Sequence, residues 1–135
     1  MTAVETKNTE SIQYPRRTIE RAERAMRCSP FQLQLFAAMR SQSVVLNTIA
    51  GESGIKQEYT HSPLSELAAE NALLWLIQVG LLRREVDGQG ITDGFRLTPL
   101  GRQLVEKWQG FGGKLPAPTF GDRLYNAMSR WFRFF

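Results

Sequence analysis

The sequence predicts a mainly α-helical protein with a small β-hairpin, an α+β fold. Apolar residues recur at helical spacing in several segments, most of which begin at a capping residue followed by proline. Between two of these segments, strand-like residues 81–86 and 95–97 flank a glycine-rich turn at 87–90. The length of 135 residues fits one domain with one core and short extensions.

The overall composition limits the classes of partner and compartment. A formal net charge of +4 permits an anionic partner without requiring one. The single cysteine, Cys28, excludes an internal disulfide framework and fits a reducing compartment. Residues 1–14 are expected to form a disordered leader without a secretory signal, and no apolar stretch approaches the roughly 20 residues of a spanning helix. We therefore expect a cytoplasmic protein, attached at most to a membrane face.

The first predicted helix, from Pro15 to about Arg27, has an apolar and a basic side. The apolar side comprises Ile19, Ala22, Ala25 and Met26. The basic side carries five arginines: Arg16, Arg17, Arg21, Arg24 and Arg27. These arginines form either a phosphate-binding face or the solvated side of a helix that covers the core. We favour the solvated side, because Glu20 and Glu23 neutralise part of the charge.

Two further helices are predicted before residue 55. Ser29 and Pro30 predict the cap and first turn of a central helix that runs to Arg40. Ser43 predicts the cap of a third helix, which ends near Gly51 and Gly54. Cys28 is interpreted as a small buried residue, and the only histidine, His61, as a solvated loop residue.

The next predicted helix, Pro63–Val79, begins after the cap Ser62 and ends at Gly80 in a left-handed C-cap. The arc expected to face the core comprises Leu64, Ala68, Ala72, Trp75, Leu76 and Val79. The opposite side mixes acidic and apolar residues, namely Glu66, Leu67, Glu70, Leu74 and Ile77. The whole helix contains neither lysine nor arginine.

The hairpin leads into another helix, capped by Thr98 and Pro99. This order of elements, with the corner Leu97–Gly101 followed by Leu104, resembles the second half of a winged helix-turn-helix domain of the antibiotic-resistance-regulator type. The resemblance implies a winged-helix core within residues 15–109, together with the N-terminal helix, and places Pro63–Val79 where such domains read DNA.

A resemblance also extends along most of the chain. The runs RAERAMRCSPFQLQLFAAMRSQSV, LSELAAE and LLWLIQVGLLRREVDGQGITDGFRLTPLGRQLVE resemble a small cyanobacterial family of winged-helix proteins. That resemblance implies a cytoplasmic or thylakoid-facing protein and adds no catalytic residues.

The C-terminal part is predicted to be a Gly/Pro hinge at 110–118 followed by an amphipathic helix at 119–135. The apolar half of this helix comprises Phe120, Leu124, Tyr125, Ala127, Met128, Trp131, Phe132, Phe134 and Phe135, and the other half is polar and basic. Three locations fit such a helix: its own domain, a groove in a partner protein, or a membrane interface.

The distribution of charge favours a protein partner over DNA. Helix Pro63–Val79 has no cation, and DNA phosphates would repel Glu66 and Glu70. No cofactor, metal or catalytic motif is evident, so we expect a non-enzymatic adaptor or regulatory module. Its expected partner-binding residues are Glu66, Leu67, Glu70, Leu74, Ile77, Phe120, Leu124, Met128, Trp131, Phe132 and Phe135. The alternative is a DNA-binding regulator that uses Arg16, Arg17, Arg21, Arg24, Arg83, Arg84 and Arg96; a homodimer is compatible with both.

Overall fold

A computed structural model describes residues 13–86, 93–110, 112 and 115–132. Within these ranges the chain forms helices α1 Arg16–Cys28, α2 Leu33–Ser41, α3 Leu46–Ile49, α4 Gly51–Lys56, α5 Glu66–Gln78, α6 Pro99–Gly110 and α7 Phe120–Phe132. The strands are β1 Val44–Val45, β2 Leu82–Val86 and β3 Asp93–Leu97. The predicted fold class, mainly α with a small β part, is confirmed. The predicted turn at 87–90 lies outside the described residues.

The strands form an antiparallel sheet in the order β1-β3-β2. Strand β3 pairs with β2 in the register Leu82↔Leu97 and with β1 in the register Val44↔Phe95. The prediction that Ser43 caps a helix is wrong, because Val44 and Val45 are β-branched residues that complete the sheet. The helix that follows is broken into α3 and α4, and Gly51 at the break has a positive φ of 64°.

The second helix begins three residues later than predicted, because residues 29–32 have other contacts. The Ser29 hydroxyl donates to the Met26 carbonyl at 2.7 Å, so Ser29 ends α1 and does not cap α2. Phe31 then forms an isolated antiparallel bridge with Thr60. The extended backbone of this bridge delays the start of α2 until Leu33.

The central helix α5 is capped by Ser65, whose hydroxyl accepts the Ala68 N–H at 3.0 Å, and not by the predicted Ser62. Its predicted end is confirmed, since Gly80 follows with a positive φ of 89°. Of the predicted core arc, Ala72, Trp75, Leu76 and Val79 are buried. Ala68 is exposed instead, whereas Ala69 and Leu73 join the core, because α1, α3 and β2 contact α5 on different sides.

A tight corner joins β3 to α6 and confirms the predicted cap at Thr98. The Thr98 hydroxyl accepts the Gly101 N–H at 3.1 Å and lies 3.0 Å from the Leu81 carbonyl oxygen. A Cβ atom at Gly101 would stand only 2.4 Å from that same carbonyl oxygen. Glycine at position 101 therefore allows the first turn of α6 to lie against the start of β2.

We predict that Gly101→Ala lowers the free energy of unfolding by about 1–3 kcal/mol, since the new methyl group must displace backbone atoms. Gly110→Ala in the same helix is the matched control, because a Cβ there meets nothing within 4 Å. Urea denaturation followed by circular dichroism measures both. Equal stabilities for the two variants would contradict the close approach at Leu81.

Candidate partner-binding surfaces

Helix α7 packs on its own domain through its polar side. Asp122 forms ion pairs with two arginines of α1, at 3.0 Å from Arg27 and 4.0 Å from Arg24. The Arg24 guanidinium also lies over the Tyr125 ring, 4.0 Å from its centroid. The Asn126 side-chain oxygen accepts the indole N–H of the buried Trp75 at 3.0 Å. Electrostatic and polar contacts thus hold the helix in place.

Asp122 also closes the first turn of α7 in a capping box. The Thr119 N–H donates to the Asp122 carboxylate and the Asp122 N–H donates to the Thr119 hydroxyl, both at 3.0 Å. The backbone hydrogen bond from Thr119 lowers the pKa of Asp122 most, and the positive charges of Arg27 and Arg24 lower it further. One carboxylate therefore starts α7 and ties it to α1.

The apolar side of α7 faces solvent as a consequence of this docking. We call Phe120, Leu124, Met128 and Trp131 the α7 ridge, and their exposed fractions are 81%, 52%, 46% and 63% respectively. At 100° per residue these four residues span an arc of about 80° that excludes Asp122 and Asn126. Among the predicted partner-binding residues, these four are therefore accessible; the side chains of Phe132 and Phe135 lie outside the described residues.

A second exposed surface lies on α5. We call Glu66, Leu67, Glu70 and Leu74 the α5 face; Leu67 is 67% exposed and Leu74 is 37% exposed. Glu66 is exposed and Glu70 is half-buried. Ile77, which the pattern assigned to the same face, packs partly against the core. The α5 face thus combines exposed leucines with acidic groups on a helix that has no cation.

The arginines of the hairpin contact neighbouring side chains. Arg83 and Arg96 pair with Glu85 at 3.1 and 3.6 Å, and the Arg84 guanidinium lies 5.4 Å from the Phe95 ring centroid. A hydrogen bond from Ser43 is the main reason that the pKa of Glu85 is lowered, so this carboxylate stays charged beside the arginines. Two of the three candidate nucleic-acid contacts on the hairpin, Arg83 and Arg96, are therefore paired with an acidic neighbour.

The arginines of α1 differ in their contacts. Arg16 pairs with Glu20 at 3.2 Å, and Arg24 belongs to the contacts with α7. Arg17 and Arg21 are exposed, and together with Arg24 they line a cleft of about 760 Å³ between α1 and α7. Their arrangement on one wall of the cleft concentrates positive charge beside α7. The spacing of these arginines puts them on one side of α1, and the packing of α7 makes that side a wall of the cleft.

Two other side chains with reactive groups have simple environments. His61 is exposed, in agreement with its interpretation as a loop residue. Cys28 is half-buried rather than fully buried, and burial is the main reason that the pKa of its thiol is raised.

Within the ranges that the structure describes, histidine, cysteine and acidic side chains form no group of three that could hold a metal ion. Nor is any described helix long and apolar enough to cross a membrane.

We predict that acid releases α7 from α1. Because the pKa of Asp122 is lowered in the folded chain, its contribution is complete above the ordinary carboxyl value of about 3.9 and is lost as the pH falls through the lowered value. The indole N–H resonance of Trp75, which bonds Asn126, reports the release by NMR.

The variant Asp122→Asn is the control for this titration. It should lack the acid transition and show the released Trp75 resonance already at neutral pH. A wild-type Trp75 resonance that stays unchanged with falling pH until the whole domain unfolds would contradict the role of Asp122.

Comparison with known proteins identifies a family. A sequence model described as Npun_F0494-like matches residues 12–130, from α1 to within α7. No curated protein and no solved structure matched the chain. The match includes α1, the α5 face and most of the α7 ridge. The chain therefore belongs to the Npun_F0494-like family.

Proposed function

We propose that this chain is a non-enzymatic adaptor of winged-helix architecture that binds a protein partner through the α5 face. The order α2-β1-α3-α4-α5-β2-β3 and the sheet order β1-β3-β2 support the architecture, because winged helices place a short strand before their helix-turn-helix and a hairpin after it. In that arrangement α5 occupies the position of the helix that reads DNA.

The proposal rests on the residues that α5 exposes to solvent. Leu67 and Leu74 are exposed on a helix without lysine or arginine. Exposed leucines beside carboxylates suit a protein surface that offers an apolar pocket with a basic rim. Against DNA, the same carboxylates would face phosphates without any cation on α5 to offset the repulsion.

The contacts of the hairpin arginines also favour a protein partner. A DNA-binding wing needs Arg83, Arg84 and Arg96 to reach phosphates, whereas Arg83 and Arg96 share the carboxylate of Glu85. Phosphate binding by Arg83 or Arg96 would therefore compete with that carboxylate. The exposed Arg17 and Arg21 lie on α1, outside the helix-turn-helix.

We predict that Leu67→Ser combined with Leu74→Ser abolishes capture of the partner while the free energy of unfolding changes by less than about 1 kcal/mol, because both side chains are exposed. Tagged full-length chain, cross-linked in native extract and analysed by mass spectrometry, measures the capture. Val86→Ser is the matched control, since Val86 is a 50% exposed apolar residue on β2.

Two outcomes contradict the proposal. One is an identical set of captured proteins for the wild type and the leucine variant. The other is steeply salt-dependent, sequence-preferring DNA binding that is lost in Arg83→Ala with Arg84→Ala, which would identify a DNA-binding regulator. Fluorescence anisotropy over a salt series measures this DNA binding.

A further inference from the structure

The α7 ridge is an apolar surface that the fold leaves largely exposed to solvent. Phe120, Leu124 and Trp131 are each more than half exposed, and none of the described residues of α7 is buried. An amphipathic helix on a monomer ordinarily turns its apolar side toward the core. Here the ion pairs of Asp122 hold the opposite side against α1, so the ridge points away from the domain.

The charges around the α7 ridge are predominantly positive. Arg123 is exposed on α7 itself, and the exposed Arg17 and Arg21 line the cleft next to it. The acids of the two helices have cationic partners: Asp122 pairs with Arg27 and Arg24, Glu20 with Arg16, and Glu23 with Lys107 at 2.7 Å. An anionic surface would therefore meet an apolar ridge with a basic border.

The acidic groups of α5 point away from this border. At 100° per residue, Glu66 and Glu70 project about 140–180° around α5 from Trp75. Trp75 is the residue of α5 that bonds Asn126 of α7. The carboxylates of the α5 face thus do not oppose the approach of an anionic surface to the ridge.

We propose that the α7 ridge binds the surface of an anionic membrane. Helix α7 would lie flat in the interface over its length of about 20 Å, with Phe120, Leu124 and Trp131 among the acyl chains. Lipid phosphates would contact Arg123 and the arginine wall of the cleft. Aromatic side chains combined with cations on one helix are typical of such interfacial binding.

The charge pattern disfavours the pairing of the ridge with the ridge of a second copy of the chain. Two ridges packed against each other would bring the Arg123 border of one copy close to the same border of the other. This repulsion has no compensating acid on the ridge, because Asp122, the only acidic residue of α7, faces α1. Anionic lipid instead supplies the complementary charge.

Sedimentation with vesicles tests the proposal on the full-length chain. Vesicles of phosphatidylcholine and phosphatidylglycerol in roughly equal amounts should bind the chain at least about tenfold more tightly than vesicles of phosphatidylcholine alone. Raising the salt concentration should weaken the binding to anionic vesicles, because salt screens the arginines.

Three variants separate the contributions. Phe120→Ala with Leu124→Ala should weaken binding to anionic vesicles about tenfold or more. Arg17→Gln with Arg21→Gln should reduce the preference for anionic over neutral vesicles. Leu67→Ser with Leu74→Ser should bind vesicles as the wild type does, because the α5 face takes no part; this variant separates failure here from failure of the protein-adaptor function.

Either of two results overturns the proposal, provided that circular dichroism shows the variants folded. One is equal or absent sedimentation with anionic and neutral vesicles. The other is unchanged vesicle binding by Phe120→Ala with Leu124→Ala. A concentration-dependent dimer that this same variant abolishes, without vesicle binding, would assign the ridge to a second copy.

Discussion

One carboxylate decides which side of α7 the protein presents. Asp122 completes the capping box with Thr119 and pairs with Arg27 across the junction with α1. These contacts fix both the start of the helix and its rotation about its own axis. Burial of the apolar side would release more solvation free energy, but the domain offers α7 arginines and the Trp75 indole N–H rather than an apolar groove.

The two exposed surfaces differ in charge and are connected through Trp75. The α5 face is acidic and apolar, whereas the α7 ridge is apolar with a basic border. Trp75 is buried in α5, donates to Asn126 and lies 5.8 Å from the Arg130 guanidinium of α7. The same indole ring therefore belongs to the core and contacts α7, so Trp75 connects the helix of one surface to the helix of the other.

Local patterns in the sequence predicted much of the fold. The apolar side of α1, the cap Thr98 and the C-cap Gly80 follow from neighbouring residues alone, and all three are confirmed. Strand β1 cannot be predicted in this way, because two residues give too short a pattern and only pairing with β3 makes them a strand. Serine before proline predicts helix caps at Ser29 and Ser62. In the structure Ser29 bonds the Met26 carbonyl at the end of α1, and Ser65 caps α5 in place of Ser62.

The residues of the candidate surfaces can be predicted from the sequence, but the side of α7 that faces solvent cannot. Helical periodicity separates the polar and apolar sides of α7, yet it cannot tell which side meets α1. That outcome depends on the pairing of Asp122 with arginines about a hundred positions earlier in the chain. The arginine cleft likewise requires α1 and α7 to be adjacent, and no local signal in either helix indicates this.

The reactivity of the Cys28 thiol depends on where α7 lies. Its thiol is half-buried at the end of α1, close enough to Asp122 that this carboxylate adds to the rise in its pKa. Burial is the larger cause of that rise, and a raised pKa disfavours the thiolate, which is the form that reacts with thiol reagents. Since the chain has one cysteine, a change in its alkylation rate would report a movement of Asp122 away from the end of α1, without any engineered label.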